Sequence, residues 1–155
     1  MQTSEELRNH WIDFIGSYTW EEICREWVLT ASAQDKLPFL PDQVGSAWTR
    51  KAQVDVVGIN SMKKTLLLGE CKWSSQVMGR TVLRDLVDKT AEIVPPEGRW
   101  TVYYLGFARS GWTPESQQLA GELAGRCLEG VNWQASGMRL LDLKQVDLDL
   151  ADWTA

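Results

Sequence analysis

Asp55, Glu70 and Lys72 are the residues whose types and spacing could do chemistry, and all three fall in one stretch, Gln53–Trp73, reading QVDVVGINSMKKTLLLGECKW. The run Gln53–Ile59 is β-branched and apolar around a single acid, Asp55. Thr65–Trp73 is apolar until Glu70 and Lys72 near its end. Asn60-Ser61-Met62-Lys63-Lys64 between them is a polar connection of hairpin size. A hairpin closed symmetrically about Met62 and Lys63 sets Ile59 opposite Leu66, Val57 opposite Leu68, Asp55 opposite Glu70 and Gln53 opposite Lys72. Side chains alternate faces along a strand, so Asp55, Glu70 and Lys72 share one face at one end of the hairpin.

That arrangement costs stability. Like charges directly opposite on paired strands destabilise the pair. The neighbouring residues are apolar on both faces, as in a strand covered on both sides, where a carboxylate needs a partner. Two carboxylates call for a cation. Magnesium, or manganese in its place, fits because it takes oxygen ligands from one or two carboxylates and completes its shell with water and substrate phosphate. Lys72 could then bind phosphate or orient a water.

An acid in one strand followed by Glu-x-Lys at the end of the next, here Asp55 with Glu70-Cys71-Lys72, resembles the PD-(D/E)XK nuclease superfamily. The phrases EEICREWV, LPF, VGSAW, QVDVVGIN and LLGECKW together resemble a domain of unknown function found at the C-terminus of archaeal and bacterial AAA-type ATPases, itself placed in that superfamily. The resemblance spans about residues 17–110, and Val54 stands where the motif has proline, at a position that supplies no ligand. It implies a restriction-endonuclease-like three-layer α/β/α fold with a central mixed sheet. It also implies a metal-dependent deoxyribonuclease activity, with Asp55 and Glu70 as metal ligands and Lys72 at the water or the developing charge. An acid on the first core helix joins such a site, and Glu21, just after Trp20, matches that position better than Glu22. Gln76, Arg80 and Arg84 become candidate DNA-phosphate contacts, and an AAA-type ATPase becomes a candidate partner.

With 155 residues, 44% hydrophobic and 24% charged, the chain suits one domain with a sizeable core. It divides into an N-terminal helix (1–16), a core (17–110) and a C-terminal helix and strand (111–155). No 18-residue apolar run suggests a membrane span, and MQTSEELRNHWIDF lacks the pattern of a secretory signal, so a cytoplasmic location is expected. Cys24, Cys71 and Cys127, odd in number and far apart, read as buried thiols. His10, the single histidine, reads as a helix-surface residue and argues against a His-rich metal centre or a serine-hydrolase triad. No P-loop GxxxxGK[ST] occurs in these residues. The net charge of −5 opposes a globally DNA-binding surface, so DNA affinity of this domain alone should be weak.

The elements that must position the candidate residues follow from periodicity. Thr3–Ile15 reads as a helix with Leu7, Trp11, Phe14 and Ile15 on one stripe, ended by Gly16-Ser17. A second helix, about Tyr18–Ala33, turns Trp20, Ile23, Cys24, Trp27 and Val28 inward. Ser46–Lys51 is a short edge strand completing a three-stranded meander. A helix from about Gly79 to Val94 carries Val82, Leu83, Leu86, Val87 and Ile93. Pro95-Pro96-Glu97-Gly98 is a turn before the strand Arg99–Phe107, which is expected parallel to the Glu70 strand through a right-handed crossover. Thr113-Pro114-Glu115 starts a helix to about Leu128, Met138–Asp142 is a last strand, and Asp147–Ala155 an acidic surface tail. The nine tryptophans read as core residues, Trp73 facing away from Lys72. Three functions fit this pattern: a metal-dependent nuclease, a nuclease-fold domain that binds or regulates, or a structural ion-pair cluster in an α/β domain.

Overall fold

The computed structural model describes residues 3–123 and 129–154, with the side chains of 5–15 outside that description. Ten elements follow in order: α1 (Ser4–Ala33), β1 (Gln43–Trp48), β2 (Gln53–Asn60), β3 (Thr65–Lys72), α2 (Arg80–Asp88), α3 (Thr90–Ile93), β4 (Trp100–Ala108), α4 (Pro114–Leu123), β5 (Trp133–Asp142) and α5 (Leu143–Trp153). The strands form one sheet in the order β1-β2-β3-β4-β5. β1, β2 and β3 pair antiparallel as a meander, whereas β4 is parallel to β3 and β5 to β4. The expected mixed sheet is therefore present, and so is the hairpin register: Val57 pairs with Leu68 and Ile59 with Leu66.

Alternation along the strands feeds two cores. On one face Trp20, Cys24, Trp27, Val28 and Ala31 of α1 and Val146 of α5 pack with Val56, Leu67, Cys71, Leu105, Phe107 and Leu141. On the other, Leu86 of α2 and Leu123 of α4 pack with Val54, Leu66, Leu68, Trp100, Val102 and Tyr104. A helix layer thus lies on each face, and β3, buried nearly throughout, runs between them.

Several boundaries differ from expectation for identifiable reasons. The two N-terminal helices are one, because Gly16-Ser17 does not break α1. A Cβ at Gly16 would overlap the Trp73 indole, lying 2.7 Å from its Cε2, so glycine is the residue that lets the helix approach. β1 begins earlier and ends at Trp48, because Thr49 Oγ1 accepts from the N–H groups of Lys51 and Ala52 and turns the chain. The helix expected over 79–94 is two segments meeting at Lys89. β5 starts at Trp133, five residues before Met138, and includes Gly137 at a bulge against β4. The tail is a docked helix: Asp142 caps it by accepting from the Gln145 N–H at 2.8 Å, and Val146, Leu150 and Trp153 reach the α1-side core. Trp27 donates its indole N–H to Asp149 at 2.9 Å and lies 5.4 Å from the Trp153 ring. The stripe of Leu7, Trp11, Phe14 and Ile15, the placement of His10, Cys127 and the end of α4 toward Leu128 lie outside the described residues.

Gly16→Ala separates helix propensity from packing. The alanine should gain about 1 kcal/mol of helix propensity if the site were open. The indole overlap reverses that sign, and urea unfolding should show a loss of roughly 1–3 kcal/mol; a stabilised variant would mean that Trp73 does not set the glycine.

Candidate functional site

Both faces of β3 being sealed, the charged residues at its end are constrained by what the strand brings with it. Glu70 is buried, 6% exposed. Its carboxylate is held from two directions, with Lys72 Nζ 3.5 Å from Oε1 and Lys89 Nζ donating to Oε2 at 3.3 Å. Lys72 follows two residues along the same strand, as alternation requires. Lys89 comes from the junction of α2 and α3 and was not anticipated from sequence. Burial, and next the charge of Asp55, hold the Glu70 carboxyl above the usual carboxylate range, and the two ammonium groups offset this only in part.

Asp55 is also buried, 9% exposed. Between β1 and β2 the pairing slips, Gly45 meeting Val57 but Ala47 meeting Val54, so β2 carries one extra residue at Asp55–Val56. Strict alternation fails there: Val54 packs in the α2-side core and Val56 in the α1-side core. Asp55 stands in this interruption, next to the Val56–Gly69 pair that keeps β2 in register with β3. Its Oδ2 accepts the Cys71 N–H at 2.9 Å, and its carbonyl accepts from Arg25 of α1 at 3.4 Å. The bulge thus leaves Asp55 within the electrostatic reach of residues belonging to both layers.

From α1 that residue is Glu21. Burial first, and then the Asp55 charge, raise the Glu21 carboxyl above its ordinary range. Glu22 is exposed and pairs with Arg25. The helix register therefore turns Glu21, and not Glu22, toward the strand acids. One turn on, Cys24 accepts from the Cys71 thiol; that contact and burial push the Cys71 thiol up, which suits a packing role over a nucleophilic one.

Beside Glu70 a cavity of about 290 Å³ is lined by Glu70, Lys72, Val82, Asp85, Asp88 and Lys89. Gln76, Arg80 and Arg84 are exposed and do not line it. Trp73 faces the α1 side as expected, 5.8 Å from Trp20, and carries the Arg109 guanidinium 4.3 Å above its ring. Among the described residues no group of three or more His, Cys, Asp and Glu side chains could enclose a metal. Asp55 and Glu70 still suit magnesium, which needs only one or two protein carboxylates when water and phosphate complete the shell.

The buried repulsion is measurable. Asn at position 55 keeps an oxygen for the Cys71 N–H while removing the charge that raises Glu70. Asp55→Asn should therefore raise the metal-free melting temperature at pH 7–8 by roughly 1–4 °C, equivalent to about 0.2–1 kcal/mol for a cross-strand charge pair. A carboxyl whose folded pKa is raised penalises folding above its unfolded value, and protonation relieves the penalty. The gain in Asp55→Asn should accordingly shrink as pH falls toward 4. A gain that is absent at pH 8, or equal at pH 4 and pH 8, would contradict this electrostatic account.

A curated relative, "Uncharacterized protein MJECL04" from Methanocaldococcus jannaschii, is 28% identical over 69 residues, covering 44% of this chain. The chain spans only 16% of that relative's length. No solved structure matches. The family model for DUF234, described as archaea bacterial proteins of unknown function, matches residues 1–84, a segment that contains Glu21, Asp55, Glu70 and Lys72. More than half of the chain lies within that match, and the protein belongs to the DUF234 family.

Proposed function

We propose that this domain is a metal-dependent nuclease of the PD-(D/E)XK type, hydrolysing phosphodiester bonds of DNA and working with an AAA-type ATPase. The observation that supports it most is the burial of Asp55 and Glu70 in mutual repulsion at the end of β3, with Lys72 ion-paired to Glu70. A fold with no use for two such carboxylates would gain stability by losing one.

Asp55 and Glu70 would hold magnesium or manganese. When bound, the ion supplies Lewis acidity at a phosphoryl oxygen and makes a nearby water more acidic. The chain's own residues do the rest. Lys72, 3.5 Å from Glu70, exchanges one carboxylate oxygen for a phosphate oxygen and stabilises the charge that grows there. Glu21, its carboxyl raised above the ordinary range, orients the attacking water and takes up its proton. Lys89 retains the second Glu70 oxygen and fixes the carboxylate plane. The resemblance to ATPase-linked domains supports the partner, and the net charge of −5 suits a domain that relies on a partner to reach DNA.

A second reading is a non-catalytic nuclease-fold domain that binds and regulates. The occupation of both Glu70 oxygens by lysines favours it, because such a pair is complete without metal.

Cleavage of single-stranded, duplex and branched DNA with magnesium or manganese separates the two. The nuclease should cut at least one of these substrates, and Lys72→Ala should be slower by about 10²-fold or more. Free magnesium at about ten times its Kd should also stabilise the parent by about 1.4 kcal/mol, with no effect on Asp55→Ala. A parent inert on all three substrates, with a melt indifferent to both ions, would leave the binding reading.

A further inference from the structure

We infer that Arg109 is a phosphate-binding residue for the substrate strand, gripping a phosphate that flanks the scissile one; the inference builds on the nuclease reading. Arg109 follows directly on β4, whose Ala108 pairs with Lys72 of β3. The Arg109 N–H donates to the Lys72 carbonyl at 3.0 Å, so the two backbones are locked side by side at the sheet's C-terminal edge. Lys72 belongs to the α2 side of that edge. Arg109 belongs to the α1 side, where its guanidinium lies 4.3 Å over the Trp73 ring.

Trp73 is a rigid platform, wedged between Gly16 and Trp20. Stacking holds the guanidinium plane without consuming its N–H donors. Among the described residues no carboxylate pairs with Arg109, although the chain has an excess of acids. A half-buried, preoriented cation lacking a counter-ion is an anion site, and a planar fork suits phosphate oxygens. Adjacent strands lie about 4.8 Å apart, so a nucleic-acid strand crossing the sheet's edge passes Lys72 on one side and Arg109 on the other. Immediately beyond Arg109 the edge is concave, with a cavity of about 510 Å³ whose lining includes Ser110, Gly111, Asp142, Lys144 and Gln145. The strand can continue there past a single lining carboxylate, Asp142, one oxygen of which is taken by the Gln145 N–H.

The test uses the 155-residue chain and a fluorescein-labelled single-stranded 12-mer of thymidylate, with anisotropy read in EDTA so that binding is seen without cleavage. Arg109→Gln should weaken binding about fivefold at 0.1 M salt, and should lower the salt slope by about 0.7, as the loss of one counterion-releasing contact requires. Arg109→Lys should keep the slope, since the charge remains. Thermal melts of both variants should stay within about 4 °C of the parent, the most that loss of the contact with Trp73 accounts for, so that the folded chain is what binds. Neutral methylphosphonate linkages scanned along the 12-mer give a test on the parent itself: one position should lose the same fivefold, and that position should be silent in Arg109→Gln. Unchanged affinity and slope in Arg109→Gln overturns the inference, and so does a parent that binds no strand or a scan with no silent position. Arg109-dependent binding by a parent that cuts nothing supports the phosphate site while removing the nuclease reading. Cleavage unaltered in KM by Arg109→Gln removes Arg109 and leaves the nuclease.

Discussion

Asp55 and Glu70 feel each other's charge where both are buried, and the surrounding structure has to hold them there against that repulsion. It does so with backbone and cation. The Cys71 N–H takes one Asp55 oxygen, so the acid of β2 is fixed by the strand that carries Glu70. Lys72 and Lys89 neutralise Glu70 from the strand and from the α2–α3 junction. Lys72 is placed by alternation along β3, and Lys89 by the helix crossover between β3 and β4.

A local irregularity sits beside the two acids, on the β1 side of β2. The β2–β3 register itself stays regular up to Val56 and Gly69. The extra residue at Asp55–Val56 breaks the alternation and brings Asp55 within reach of α1, where Glu21 and Arg25 wait. Bulges re-aim side chains beside functional centres, and this one stands at a cluster drawing on three elements. Under the proposed function that cluster is the cation site, and the acidic surface elsewhere explains why a cation bound within it would matter for approach to phosphate.

Much of this was legible in the residues. The hairpin was readable because a polar five-residue connection separates two apolar runs, which fixes the register once the turn is centred. Glu21 over Glu22 was readable because Trp20, Ile23, Cys24 and Trp27 define the inward stripe of α1. What failed was whatever depended on a distant partner. Gly16 reads as a helix breaker until Trp73, far along the chain, is seen to occupy the space its missing side chain leaves. The acidic tail reads as solvated although Val146, Leu150 and Trp153 recur at helical spacing, a signal that its aspartates masked. Lys89 and Arg109 carry no local pattern at all; the α2–α3 junction brings Lys89 to Glu70, and the end of β4 brings Arg109 over Trp73. The bulge at Asp55 arises from pairing with β1, which the β2 sequence does not announce.

The claim at the centre is that Asp55 and Glu70 are kept together to share one divalent cation. Anomalous diffraction from a crystal of the chain grown with manganese tests it most directly. The account predicts a single strong manganese peak bound by one oxygen of Asp55 and one of Glu70, at about the 2.1 Å typical of magnesium-like sites, with Lys72 withdrawn from Glu70. A crystal with no peak at that position, and with Lys72 and Lys89 still on Glu70 at millimolar manganese, would contradict it and leave the four residues as a structural ion-pair cluster.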